Sequence, residues 1–170
     1  MSDRLVSKIR IQTCNDAPIR ADGKFALYWK IAFRRMTWNF SLQRAVELAV
    51  ELQKPLVIFE PLRIGYRWAS DRIHRFVIDE MADNAARVAD VKNPGVLYFQ
   101  YVEPTADAGK GLLAALADRA CVEVTDDFPS FFLPQMVAAA ASRLPVRLES
   151  VDSNGLLPLR ATDRVFTTAF

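Results

Sequence analysis

Cysteine and histidine are nearly missing. Cys14 and Cys121 stand far apart in 170 residues, and His74 is the single histidine. That scarcity excludes a disulfide framework and a zinc site, and it implies free thiols in a reducing, cytoplasmic setting. Glycine is scarce too, with six residues in all. Ala108-Gly-Lys-Gly111 has the lysine of a phosphate-binding loop but lacks its leading glycine and the Ser/Thr that follows, and no G-x-G-x-x-G arrangement occurs. A glycine cradle for a nucleotide's phosphates therefore has little material. No hydrophobic run reaches the ~20 residues of a membrane helix, because charged side chains interrupt each one. The opening Met1-Ser-Asp-Arg-Leu-Val-Ser-Lys8 holds no apolar signal-peptide core, so no membrane partner is expected.

What remains is a core-forming composition, 51% apolar and 25% charged, on a chain long enough for one domain. Disordered, collagen-like and coiled-coil classes are excluded on that ground. The net charge of +2 names no polyanionic partner, although its distribution is uneven. Residues 1–75 carry 14 Lys/Arg against 7 Asp/Glu (+7), and residues 76–170 carry 8 against 13 (−5). Such asymmetry arises most often from helices of differing acidity, and by itself it does not assign a nucleic-acid face.

Short apolar runs alternate with helical patterns. Lys24–Trp29 reads as a first strand, and Asn39 caps a helix running to about Lys54. Leu42, Ala45, Val46, Ala49 and Leu52 fall on one side of that helix, with Arg44, Glu47, Glu51 and Lys54 opposite. Pro55 ends it, and Leu56–Phe59 is the second strand. Ser70-Asp71 opens a helix with one-turn repeats at Ile73, Phe76, Val77, Met81, Asn84 and Val88, which Asn93-Pro-Gly95 stops. Val96–Val102, Cys121–Thr125 and Val146–Val151 complete five strands, with helices over about 110–119 and 132–143 between them. Strand–helix alternation at this spacing predicts a three-layer α/β/α, Rossmann-like domain on a five-stranded parallel sheet. The second and third strands are apolar at nearly every position, as strands covered on both faces would be. Residues 1–21 form an extension expected to wrap the surface, 22–151 the domain, and 152–170 the start of a linker. Ligands of such sheets bind beyond the carboxyl ends of the strands, which directs attention to the segments after Trp29, Phe59 and Val102.

Catalytic candidates are thin. His74 has no nucleophile-elbow motif to serve, and Asp126-Asp127, just past a strand, suits helix capping or solvent better than acid–base or Mg²⁺ chemistry. No catalytic residue and no metal ligand set is assigned. More distinctive is Tyr28-Trp-Lys-Ile-Ala-Phe-Arg-Arg-Met-Thr-Trp-Asn39, which ends the first strand. Trp29 or Trp38 could stack on a flat conjugated ligand, and Arg34 or Arg35 could pair with its anionic groups. Read blandly, Trp29 and Phe33 are core, Arg35 is structural and Asn39 is only a cap. By topology alone, Glu60 and Arg63 border the same crevice, just past the second strand.

This segment resembles the N-terminal domain of the photolyase/cryptochrome family, closest to its class II DNA photolyases. The resemblance rests on Tyr28-Trp29, Arg35, Asn39, Leu42 and Ala45 at matching spacing and on the Lys54-Pro-Leu-Val-Ile-Phe59 strand. Arg72-Ile-His-Arg-Phe76 and the closing Asp152-x-Asn154…Leu157-Pro158 extend it over most of residues 20–165. Two departures stand out: Ala32-Phe33 replaces the family's Arg-Asp, and Trp38 replaces the Asp before Asn39.

The resemblance implies an α/β domain holding a light-harvesting antenna chromophore of deazaflavin or flavin type. Its contacts would carry over to Trp29, Arg35 and Asn39. It also implies a C-terminal helical domain of the same parent chain that binds FAD and repairs cyclobutane pyrimidine dimers with light. Damaged DNA would then be met only through the full-length protein, and residues 1–170 alone would be inactive. Two other readings compete. One is a stand-alone Rossmann-like nucleotide or small-molecule binding module. The other is a structural domain whose crevice Phe33 and Trp38 have filled.

Overall fold

A computed structural model describes residues 5–164. The outermost residues of the expected N-terminal extension (1–4) and linker (165–170) lie outside the described part. In chain order come β1 (Ile11–Thr13), β2 (Phe25–Trp29), α1 (Phe40–Glu51), β3 (Leu56–Leu62) and α2 (Asp71–Val91). Then follow β4 (Val96–Val102), α3 (Leu112–Ala117), β5 (Ala120–Asp126), α4 (Leu133–Ala141) and β6 (Leu148–Val151). Among the described residues, no helix is long and apolar enough to cross a membrane.

The sheet has six strands in the order β1-β6-β5-β2-β3-β4, and this corrects the expected five. Five are parallel, and β1 joins antiparallel to β6, Ile11 opposite Val151 and Thr13 opposite Glu149. A segment expected to wrap the surface thus supplies an edge strand. It covers the ladder groups β6 would otherwise leave bare, and the Asn15 side chain extends the pairing to Val146 O (2.9 Å) and Leu148 N (3.0 Å). At the other edge lies β4, the third of the expected strands. Leu97 there is 60% exposed, so β4 is not enclosed on both faces as its composition suggested.

Strand parity divides the core between two helical layers. Ala26, Tyr28, Leu56, Ile58, Val122 and Val124 turn toward α1, and α2 adds Val77 and Met81 against Leu62. Leu27, Trp29, Val57 and Phe59 turn the other way, under α3 and α4. Asn39 caps α1, accepting from Leu42 N at 3.0 Å, and Ser70 caps α2, accepting from Ile73 N at 3.3 Å. The face of α1 that packs is Ser41, Ala45, Leu48 and Ala49; Val46, expected to pack, is partly exposed. Arg44, expected on the solvent side, leans onto β6 and pairs with Glu149 (2.8 Å). Burial opposes its charge, but Glu149 and Glu47 outweigh that and hold its pKa above the ordinary value. Gly23 admits β2 to its place. A Cβ there would sit 2.5 Å from Cys121 N and 2.6 Å from the Ala120 carbonyl group.

Candidate functional site

A cavity of about 970 Å³ opens at the carboxyl ends of β2, β3 and β4. That is the upper end of the range for small-molecule and cofactor sites. Trp29, Phe59, Pro61 and Tyr101 belong to the strands beneath it. Phe33, Arg34 and Arg35 flank it from the loop after β2, and Leu112 and Leu113 from α3. The start of α2 contributes Ile73, Phe76 and Val77. Two further loops add aromatic rings: Tyr66 and Trp68 after β3, Phe131 and Phe132 before α4.

The loop after β2 is held rigidly from below. Asp126, fully buried at the end of β5, accepts from Ile31 N (2.9 Å), Ala32 N (2.7 Å) and Phe33 N (3.0 Å) through one oxygen. Its other oxygen accepts from the Tyr28 hydroxyl at 2.7 Å. Burial, and then the Asp126 charge, drive the Tyr28 pKa well up, so the phenol stays protonated and donating. Three successive backbone N–H groups at a β-strand terminus are the kind of nest that binds a phosphate. Here that nest is filled by the protein's own carboxylate, at the β2/β5 boundary where strand order reverses. The ligand-sized space lies to one side of that boundary, over β2, β3 and β4.

A second buried network supports the same loop. Glu60 accepts from Lys30 Nζ (2.7 Å), Arg34 Nη1 (2.6 Å) and the Tyr98 hydroxyl (2.6 Å). Lys30 also donates to the Arg34 carbonyl, which accepts in addition from Asn84 of α2 at 2.7 Å. Burial lowers the Lys30 pKa, and the Glu60 charge opposes that shift. Arg34 is thereby engaged internally, one of two cations on the single Glu60 carboxylate. Arg35 donates to the Ser153 carbonyl (2.8 Å) and the Trp38 carbonyl (3.1 Å), with its guanidinium 5.5 Å from the Phe33 ring centroid.

Of the residues singled out from sequence, Trp29, Arg34, Arg35 and Arg63 come together around the cavity. Arg63 there pairs with Asp107 at 3.1 Å. Glu60 does not border the crevice. It lies within β3 rather than past it, and with Ile58 it faces the α1/α2 layer. Asn39 is buried beneath the loop, donating to the Tyr28 hydroxyl, the Phe33 carbonyl and the Arg35 carbonyl. Trp38 is 87% exposed, in left-handed backbone (φ 53°), and does not line the cavity. Asp126 and Asp127 have separate duties, since Asp127 pairs with Arg160. His74 lies beside the Tyr66 ring, 5.7 Å between centroids.

The aromatic residues of the two further loops were missed in sequence. Tyr66-x-Trp68 stands between a strand and a helix cap, as cavity-lining rings often do, and was a usable signal. Phe131-Phe132 follows β5, whose outlet is not among the segments after Trp29, Phe59 and Val102 to which the topology directs attention.

No protein-family model matches the chain. It is 30% identical over 156 residues to the deoxyribodipyrimidine photo-lyase of Methanothermobacter thermautotrophicus. The match takes in 91% of this chain but spans only about a third (34%) of that relative, so the chain is similar to one portion of a photo-lyase.

Proposed function

We propose that this chain is the N-terminal α/β domain of a photolyase-type DNA repair flavoprotein, and that its cavity holds an antenna chromophore of deazaflavin or flavin type. The observation that carries the ligand half is the cavity itself: about 970 Å³, lined by Trp29, Tyr66, Trp68 and Tyr101, beyond the carboxyl ends of parallel strands. Flat conjugated rings gain most from such walls through stacking and burial. The domain half is supported by the similarity to the photo-lyase over 91% of the chain. On this reading FAD and light-driven repair of pyrimidine dimers belong to a helical domain of the same parent protein, which is also where damaged DNA is met. Residues 1–170 position a light-absorbing partner and perform no bond chemistry.

Two features weigh against the competing readings. The N–H nest of a nucleotide module is occupied by Asp126. The crevice is open although Phe33 stands in its wall, and Trp38 points elsewhere.

The test is a titration with riboflavin and with 8-hydroxy-5-deazaflavin, read by quenching of tryptophan emission. Trp29 and Trp68 line the cavity and should report saturable binding. Saturable binding of ATP in place of both ring systems would favour the stand-alone nucleotide module. Binding of none of the three would leave the structural reading.

A further inference from the structure

We propose that Trp68 and Phe131 form an aromatic clasp that gates entry to the cavity. The inference rests on the chromophore reading of the cavity and adds to it how the guest gets in and is kept.

The clasp joins two loops that the chain places far apart. One follows β3 and the other follows β5, and these strands flank β2 on opposite sides. Contact between the two loops therefore crosses the end of β2, where Trp29 lines the cavity. The contact is made by rings. Trp68 stacks on Phe132 (centroids 6.2 Å apart, planes at 12°) and meets Phe131 edge-on (5.5 Å, 68°), and Tyr66 lies 6.2 Å from Phe132. Among the described residues, no hydrogen bond or ion pair joins the two loops. Ring contacts are weakly directional and can be broken and remade without leaving a polar group unpaired.

Phe131 is the moving part. Its backbone is left-handed (φ 62°), a conformation that a residue bearing a side chain adopts at a cost. Phe132, the N-cap of α4, already has helical backbone, so the strain falls on the one residue before it. The strain of a left-handed phenylalanine and the gain from one edge-to-face ring pair are of the same order. Closed and open arrangements of Phe131 thus lie close in free energy, as a gate requires. Both gate residues also remain wet at the mouth, Phe131 70% and Trp68 46% exposed. Relaxing Phe131 to ordinary backbone swings its ring off Trp68 and uncovers the mouth, while Trp68 keeps its stack on Phe132 and the two loops stay joined there.

The experiment is stopped-flow mixing of the purified protein with riboflavin, comparing wild type with Phe131→Ala, Phe131→Gly and Trp68→Phe. Far-UV circular dichroism of each variant checks the fold, which an exposed position should preserve. With the clasp gone, Phe131→Ala is expected to raise the association and dissociation rates together by about tenfold, the factor that one ring pair corresponds to. The equilibrium constant should move far less. Phe131→Gly should behave alike, since the ring and not the backbone bars the way, while Trp68→Phe, which keeps a ring, should fall between. Rates unchanged in Phe131→Ala would overturn the gate and leave the chromophore reading standing. So would a weaker affinity with an unchanged association rate, because Phe131 would then be an ordinary contact of the bound ring. If wild type takes up no riboflavin, the same comparison is made with 8-hydroxy-5-deazaflavin, and uptake of neither fells the chromophore reading and the gate together.

Discussion

Replacing Glu123 with glutamine should make the domain more stable, and by an amount that grows with pH. Glu123 lies in the middle of β5, with Leu27 opposite it on β2 and Leu148 on β6, all fully buried. Neither of its carboxylate oxygens has a hydrogen-bond partner among the described residues. Burial alone pushes its pKa from 4.5 up to about 8. The folded protein therefore keeps a proton on Glu123 that the unfolded chain gives up. Below about pH 4.5 both states hold it and nothing is lost. Between 4.5 and 8 only the folded state does, so stability falls as pH rises, by about 1.4 kcal/mol per unit. Across the whole window that amounts to about 5 kcal/mol, comparable with the entire stability of many domains. Above pH 8 the difference levels off. Glutamine has the same shape and no proton to lose, so Glu123→Gln should escape this slope. Urea denaturation of both proteins from pH 5 to pH 9 measures it directly. A difference between the two that stays constant from pH 5 to pH 8 would mean that Glu123 ionises as a solvated carboxyl does, and the account of β5 as a dry strand would be wrong.

Two further substitutions probe the networks under the loop after β2. Asp126→Ala removes the acceptor for three buried or half-buried N–H groups and a phenol, and should destabilise by about 3 kcal/mol or more in denaturant titrations. It should also weaken riboflavin quenching, since residues 31–33 lose their anchor; unaltered quenching would show that the cavity does not depend on this loop. Lys30→Met leaves Glu60 with Arg34 and Tyr98 as its remaining donors and should cost about 1.5–3 kcal/mol, and in a double-mutant cycle with Glu60→Gln the two losses should sum to more than that of the double variant. Additive losses would refute the coupling.

Much of the architecture was legible because the signals were local. Asn39 and Ser70 begin helices where their side chains can cap them, Pro55 and Asn93-Pro-Gly95 end helices, and the apolar runs became strands. β1 left no such trace. Three residues, Ile11-Gln-Thr13, make no hydrophobic period, and they are a strand only because β6 offers an open edge. Glu60 could have been placed by counting alternate positions from Ile58, which sends it under the α1/α2 layer, on the opposite face of the sheet from Phe59. Distance in sequence hid the rest. Asp126 meets its loop partners from 93 to 95 residues away, and Trp68 meets Phe131 only because β3 and β5 flank β2. Arg34 and Arg35 looked available for an anionic ligand, but Glu60, Ser153 and Trp38 already engage them.

The anchoring of residues 31–33 by Asp126 also has a bearing on order in time. A chain emerging from the ribosome delivers β2, α1, β3, α2 and β4 before the carboxylate that shapes the first loop exists. Until residue 126 is out, Ile31, Ala32 and Phe33 have only water to bond, and the hollow beside them has no settled front. The first hundred residues can build half a sheet during synthesis, but the place for a guest is completed late, when β5 slides in next to β2.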